Sequence, residues 1–223
     1  MKPKYPSLSL TEVARGMIAC RANAHELLEE FEALLSRHYF ARAYALLHTA
    51  CEELAKFSVL ELGGKRLAQG NPPLWNRFWR RFRSHDSKIA QLNVQLLYLL
   101  PGSEEAAHRS IVESVETLFD CGLAIRNSAL YVDTGPDGKF RKPSDIDFST
   151  SLPVLHAAVK LALDAADRRG HSIDDIELSL REPPHQSATQ NSLKVLTRAI
   201  QRAKDAGLEK HEVVEILEKA LGK

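Results

Sequence analysis

Apolar residues recur every three or four positions along most of the chain, and no stretch alternates convincingly with period two. That spacing predicts helices rather than strands. The first helix covers residues 10–37, with Leu10, Val13, Met17, Ala24, Leu27, Leu28, Phe31 and Leu35 on its apolar stripe. Ser9 and Glu12 have the spacing of a capping box at its start. A second helix over 39–62 buries Phe40, Ala43, Leu47, Ala50, Leu54 and Phe57, and Gly63-Gly64 reads as its C-terminal stop. After Asn71-Pro72-Pro73, a third helix over 74–100 carries Trp75, Phe78, Trp79, Phe82, Ile89, Leu96 and Leu100 on one arc. A fourth, ending near residue 131, is lined by Ile111, Val115, Leu118, Gly122, Ile125 and Ala129.

The turn cluster Gly135-Pro136-Asp137-Gly138, followed by Lys139, Arg141 and Lys142, predicts a short hairpin or an ordered loop. A fifth helix over 151–169 takes Pro153 in its first turn. A short helix over 173–180 and a linker follow, and then two amphipathic helices, 192–206 and 209–221, split at Gly207. The class is all-α.

Polar residues that break into the apolar arcs are the informative ones. On the second helix Arg42, Thr49, Glu53 and Lys56 share a strip beside the buried face, and Glu52 and Lys56 are spaced as an i,i+4 pair. The plain reading is a solvated face; the functional one is that Glu53 lines a cleft. On the third helix His85 lies between the directions of Phe82 and Ile89, and Asp86 lies close to Trp79. His85 is either a hydrogen-bonded residue at the core edge or an acid/base group, for which an ordinary pKa of ~6.5 is suited. Arg126 points into the arc of the fourth helix beside Gly122 and Ala129. A lone arginine in a packed interface is costly unless paired, so it calls for a carboxylate, and Glu53 is the expected partner.

Composition narrows the field. The 223 residues are 44% hydrophobic and 26% charged, ordinary for a globular protein. A net charge of +1 excludes global basicity, so any nucleic-acid binding must come from a local patch. The cluster Arg77, Arg80, Arg81, Arg83 and Lys88, interleaved with aromatics, is such a patch. Trp75 and Trp79 serve either as core residues or, if exposed, as stacking platforms. Cys20, Cys51 and Cys121 have no close pair and read as reduced core thiols. No metal-ligand spacing, phosphate loop or nucleophile elbow is present, so neither a metal site nor a cofactor is expected. With no apolar run of spanning length and no signal peptide, the expectation is a cytoplasmic protein without a membrane partner.

Four motifs in order carry a resemblance. They are Arg21-Ala22-Asn23-Ala24 with Leu27-Leu28; Arg42-Ala43 leading to Ala50-Cys51-Glu52-Glu53-Leu54-Ala55-Lys56; Trp79 through Phe82-Arg83-Ser84-His85-Asp86-Ser87-Lys88; and Leu130-Tyr131-Val132-Asp133. Together, over residues 10–165, the chain resembles the AbiV family of abortive infection proteins, a branch of the HEPN superfamily. The resemblance implies a HEPN-like up-down helical bundle over 8–170, then the short helix and linker over 171–191, with the C-terminal helical hairpin over 192–223 as an addition. It implies phage defence by halting growth, a phage protein as trigger, and RNA or translation as target. It also implies the homodimeric, metal-independent ribonuclease chemistry of many HEPN proteins.

The HEPN motif is an arginine, usually a polar residue, then a histidine four to six residues on. Arg126-Asn127 matches its first half, but Tyr131 stands where the histidine is due. One repair recruits His85, with Lys88 as in the His-x-x-Lys of AbiV-like sequences. The other takes Arg80 to His85 as the motif itself. Arg80 and His85 diverge by about 140° on a continuous helix, but so do Arg126 and Tyr131; the first is preferred because His85 and Arg126 both lie on apolar arcs. In that reading His85 is the general base, Arg126 and Lys88 stabilise the phosphorane, and Glu53 holds Arg126. Asn127 and Tyr131 position the phosphate, and Tyr131 protonates the leaving oxygen. Arg80, Arg81, Arg83, Lys56 and Asp133 contact the RNA. The rival functions are a non-catalytic bundle that binds a phage protein or the translation machinery, and an adaptor to a nucleotidyltransferase.

Overall fold

A computed structural model describes residues 5–85, 88, 126–135, 137–149 and 151–182. The fourth helix before residue 126, most of the third beyond His85, Asp86, Cys121 and the C-terminal hairpin lie outside these residues. Helix α1 spans Leu10–Leu35 and α2 spans Phe40–Ala68. The Ser9–Glu12 capping box forms as expected: the Ser9 backbone N–H donates to Glu12 Oε2 at 2.7 Å, and the Glu12 N–H donates to Ser9 Oγ at 3.2 Å. The two helices are antiparallel, since Gly16 meets Leu60 and Val13 meets Gly64. Their short connection includes His38 at φ 61°.

The expected stop at Gly63-Gly64 is overturned: α2 runs on through both glycines to Ala68. The stop is Gly70, at φ +71°. Its N–H donates to Leu67 O at 3.0 Å and that of Asn71 to Arg66 O at 2.9 Å, which is the pattern of a Schellman cap. Gly63 and Gly64 serve close packing instead. A Cβ on Gly63 would meet the Phe78 ring at 2.9 Å, and one on Gly64 would meet Leu180 Cδ1 at 2.7 Å and Val13 Cγ1 at 2.9 Å. Gly64→Ala is expected to destabilise the fold by about 1–2 kcal/mol. Overpacking against a stiff valine costs roughly 1–3 kcal/mol, and the better helix propensity of alanine returns at most about 1. The urea midpoint checks it.

Helix α3 covers only Trp75–Arg83. The continuous helix expected over 74–100 is interrupted at Ser84, whose ψ of 127° is extended. Serine favours such a position because it suits a helix start better than a helix interior. Helical conformation resumes at once, with the Lys88 N–H donating to Ser84 O at 3.1 Å. The break re-aims His85 relative to Arg80, so wheel angles drawn across it do not hold. Trp75, Phe78, Trp79 and Phe82 form an edge-to-face and stacked aromatic cluster over the end of α2. Both tryptophans are half-buried, and Trp79 Nε1 donates to Pro6 O at 2.8 Å.

Residues 126–130 are helical, and a two-pair antiparallel ribbon follows: β1 (Asp133–Thr134) and β2 (Phe140–Arg141), with Asp133 opposite Arg141. Of the two forms expected for this turn segment, the chain adopts the hairpin. A 3-10 turn at Pro143–Asp145 leads into α4, Ser151–Asp167, and then α5, Ile173–Arg181. Both pack on α1 and α2, and Tyr44, Phe31, Phe57, Met17, Leu155, Ile176 and Leu180 meet in one core. Buried Arg21 reaches from α1 to the end of α4, donating to Ala166 O at 3.3 Å and Gly170 O at 2.5 Å. Thr11 donates to Glu177 Oε1 at 2.6 Å, tying the start of α1 to α5. Cys20 and Cys51 are buried free thiols, and burial pushes Cys20 up to about 12. Among the described residues no helix is long and apolar enough to cross a membrane.

Candidate functional site

Helix α2 turns its Tyr44–His48–Glu52 edge toward the segments that carry His85, Lys88 and Arg126, and Glu52 is the hub. Its carboxylate is buried, with a side chain 6% exposed. Oε2 accepts from the Lys88 ammonium at 2.6 Å. Oε1 lies 2.6 Å from His85 Nδ1 and accepts from Arg126 Nη1 at 3.0 Å. A single oxygen therefore joins the histidine and the arginine that the sequence places 41 positions apart. Arg126 Nη2 lies 3.5 Å from Asn127 Oδ1, at the limit of hydrogen bonding.

Burial pushes the Glu52 carboxyl up, but hydrogen bonds and charge from Lys88 and His85 outweigh it, and the pKa lies below the usual carboxylate value. An ionised carboxylate only accepts, so neutral His85 donates from Nδ1 and keeps its lone pair on Nε2. His85 is the open member of the cluster, with a side chain 45% exposed, whereas Lys88 is buried and Arg126 is 20% exposed. Among the described residues the Glu52 carboxylate faces both the Lys88 ammonium and the Arg126 guanidinium.

The expected Arg126–Glu53 pair does not form; Glu52 takes that place. Glu53 instead accepts from Lys56 at 2.6 Å, so the expected i,i+4 pair of Glu52 with Lys56 is replaced by an i,i+3 pair on the neighbouring face. Adjacent helix positions differ by 100°, enough to send one glutamate into the cluster and the other away from it. His48, singled out by no motif, also belongs here. Its Nδ1 lies 3.7 Å from Glu52 Oε1, too long for a hydrogen bond, and among the described residues its ring nitrogens have no hydrogen-bond partner. Burial, aided by the charges of Arg126, His85 and Lys88 and opposed by Glu52, pulls its pKa down to about 4. The i,i+4 spacing of His48 and Glu52 was the signal available for it.

The remaining residues spread around this centre. Tyr131, 64% exposed, and Asp133 line a neighbouring cavity of about 340 Å³ whose wall includes none of Glu52, His85 or Arg126. Arg80 is exposed and Arg81 half-buried. Arg83 stacks over Tyr5 at 5.1 Å and Trp79 at 5.6 Å, and Lys56 lies 5.7 Å above the Phe82 ring. Among the described residues no three His, Cys, Asp or Glu side chains are placed to share a metal ion.

A bundle of packed helices, with a charged cluster built between α2 and the helical segments after α3 and before β1, is a HEPN-type domain. The family model HEPN_AbiV, described as AbiV, matches residues 12–160, and the chain belongs to that family. Membership implies a part in abortive infection, the defence against phage in which the infected cell stops growing. No curated protein and no solved structure matches the chain.

Proposed function

We propose that the protein is a metal-independent endoribonuclease whose cleavage of RNA halts translation in the infected cell, with RNA bound at the His85–Glu52–Arg126 cluster. The observation that carries this reading is the shared Glu52 Oε1, which holds an exposed imidazole beside a guanidinium. His85 Nε2 takes the proton of a ribose 2′-hydroxyl. The 2′ oxygen attacks phosphorus, the 5′ oxygen leaves and takes a proton from solvent, and the products are a 2′,3′-cyclic phosphate and a 5′-hydroxyl. Arg126 stabilises the phosphorane. Glu52 orients His85, and Asn127 lies beside Arg126 at the edge of the cluster. Arg80 and Arg81 follow the RNA backbone. A phage protein serves as trigger and a second copy of the chain as partner, in keeping with the HEPN class.

The test is incubation of the purified protein with total RNA in EDTA, beside His85→Ala and Arg126→Ala. His85→Ala is expected to lower the rate roughly 10²–10⁴-fold, the usual worth of a general base. Equal cleavage by all three proteins removes these residues from the mechanism. The burial of Lys88 against Glu52 favours the rival reading, a non-catalytic bundle with a structural ion network. RNA left intact by all three proteins selects it.

A further inference from the structure

We propose that the cavity beside Tyr131 is a base-recognition subsite that takes guanine from a single-stranded RNA; this rests on the reading of the cluster as an RNA site. At about 340 Å³ the cavity lies in the lower range of small-ligand pockets. Phe148, 2% exposed, forms its apolar floor, and the exposed ring of Tyr131 stands at its rim. Unstacked bases of single-stranded RNA are held by such aromatic faces. Ser128, on the cavity wall, sits two residues beyond Arg126 in one helical segment. Tyr131 is tied to that segment by its N–H, which donates to Asn127 O at 2.9 Å. Arg126 and Tyr131 are thus about 7.5 Å apart along the chain axis at helical rise, so one short segment offers a guanidinium to a phosphate and a ring to a nearby base.

The polar groups decide which base. Asp133 and Arg141 are cross-strand partners in the ribbon, and both line the cavity. Directly opposite residues project from the same face of a ribbon, so an acceptor and a set of donors lie side by side. Asp133 Oδ1 accepts from the Thr134 N–H at 2.7 Å, which fixes the carboxylate. Asp147, also on the wall, is held in the same way by the Ser149 N–H at 2.8 Å. Guanine presents two adjacent donors, N1–H and the N2 amino group, next to the acceptor O6. A carboxylate takes both donors, and a guanidinium reaches O6 or N7. Adenine and cytosine offer the carboxylate one amino group, and uracil offers one imino proton.

The test uses fluorescein-labelled, fully 2′-O-methylated pentanucleotides with cytidine at every position except a central guanosine, inosine, adenosine or uridine, and it reads fluorescence anisotropy. These probes lack the 2′-hydroxyl nucleophile, so binding is read without cleavage. Guanine is expected to bind about tenfold tighter than adenine or uracil, with inosine between them for want of the N2 amino group. Asp133→Asn is expected to abolish the preference. Tyr131→Ala is expected to weaken every probe about tenfold, while Tyr131→Phe keeps full affinity because stacking needs only the ring. Both positions are exposed, and unchanged thermal unfolding of each variant confirms that only binding is read. Equal affinity for all four probes, or a guanine preference that survives Asp133→Asn, overturns the subsite. Cleavage of natural RNA that depends on His85, together with equal probe affinities, sinks the subsite alone. Guanine preference without any cleavage sinks the nuclease alone.

Discussion

Glu52→Ala is expected to lower the stability of the fold by about 3–5 kcal/mol, the cost of leaving buried charges without their counter-ion. Lys88 is 4% exposed and its ammonium lies 2.6 Å from Glu52 Oε2, so the variant strands a cation where water does not reach it. Arg126 loses its carboxylate at the same time. Glu52→Gln keeps the shape and an acceptor oxygen but not the charge, and its loss should be smaller. Removing both ends of the buried pair, Glu52→Leu with Lys88→Met, should recover a large part of what Glu52→Ala loses, since apolar groups often replace a buried ion pair at little cost. Urea unfolding midpoints of the four proteins check the series. A loss below about 1 kcal/mol in Glu52→Ala would place the pair in the weak class of surface ion pairs.

Acid is expected to weaken the protein in two stages, and His48 sets the first. Its pKa is about 4 in the folded chain and 6.5 in the unfolded one. Between those values the unfolded chain carries the proton and the folded chain does not, so stability rises with pH. The contribution is fully present above pH 6.5 and is lost as pH falls to about 4. Its size is roughly 3 kcal/mol, because each tenfold difference in proton affinity between the two states is worth about 1.4 kcal/mol. Glu52, whose pKa is lowered, acts in the second stage. Its contribution is present above its unfolded value of 4.5 and is lost as pH falls through its folded one. Urea midpoints at pH 7, 5.5 and 4.5 should therefore decline steadily, and His48→Gln should flatten that decline. An unchanged slope in His48→Gln assigns the first stage to another group.

How legible the molecule was in its sequence depended on whether the deciding forces were local. The start of α1 follows from Ser9 and Glu12, which satisfy each other's backbone within one turn. The stripe of α2 is equally plain, because the spacing of Ala43, Leu47, Ala50 and Leu54 answers only to helical pitch. Gly63-Gly64 misled because glycine signals both a helix stop and a place where a neighbour comes close. Phe78, Leu180 and Val13, all distant in sequence or on other helices, decide for the second. Ser84 is a matching case: a helix-start residue inside an apolar pattern that looks continuous.

The candidate site shows the same divide. That Arg126 needs a carboxylate follows from the cost of burying its charge. Which of two consecutive glutamates supplies it depends on the side from which the Arg126 segment approaches α2, a tertiary fact absent from the α2 pattern. His48 stayed hidden because a lone histidine on a stripe looks like core until Glu52 is known to face the same way. The cavity beside Tyr131 needed the ribbon register to bring Asp133 and Arg141 together.

The ties between the two ends of the bundle bear on how the protein is made. Thr11 meets Glu177 and Arg21 meets Gly170, so α1 finds its last partners only when α5 has emerged. A ribosome adding about 5–20 residues per second takes roughly 6–25 seconds to travel from Glu52 to Glu177. Through that interval the α5 side of α1 and α2 has no Ile176 or Leu180 to cover it. Contacts spanning so much of the chain slow folding as well, because the whole loop must be ordered before they repay it. The packing of α1 is therefore completed only after α5 has been made, and closure of the bundle follows synthesis of α5 rather than that of α1 and α2.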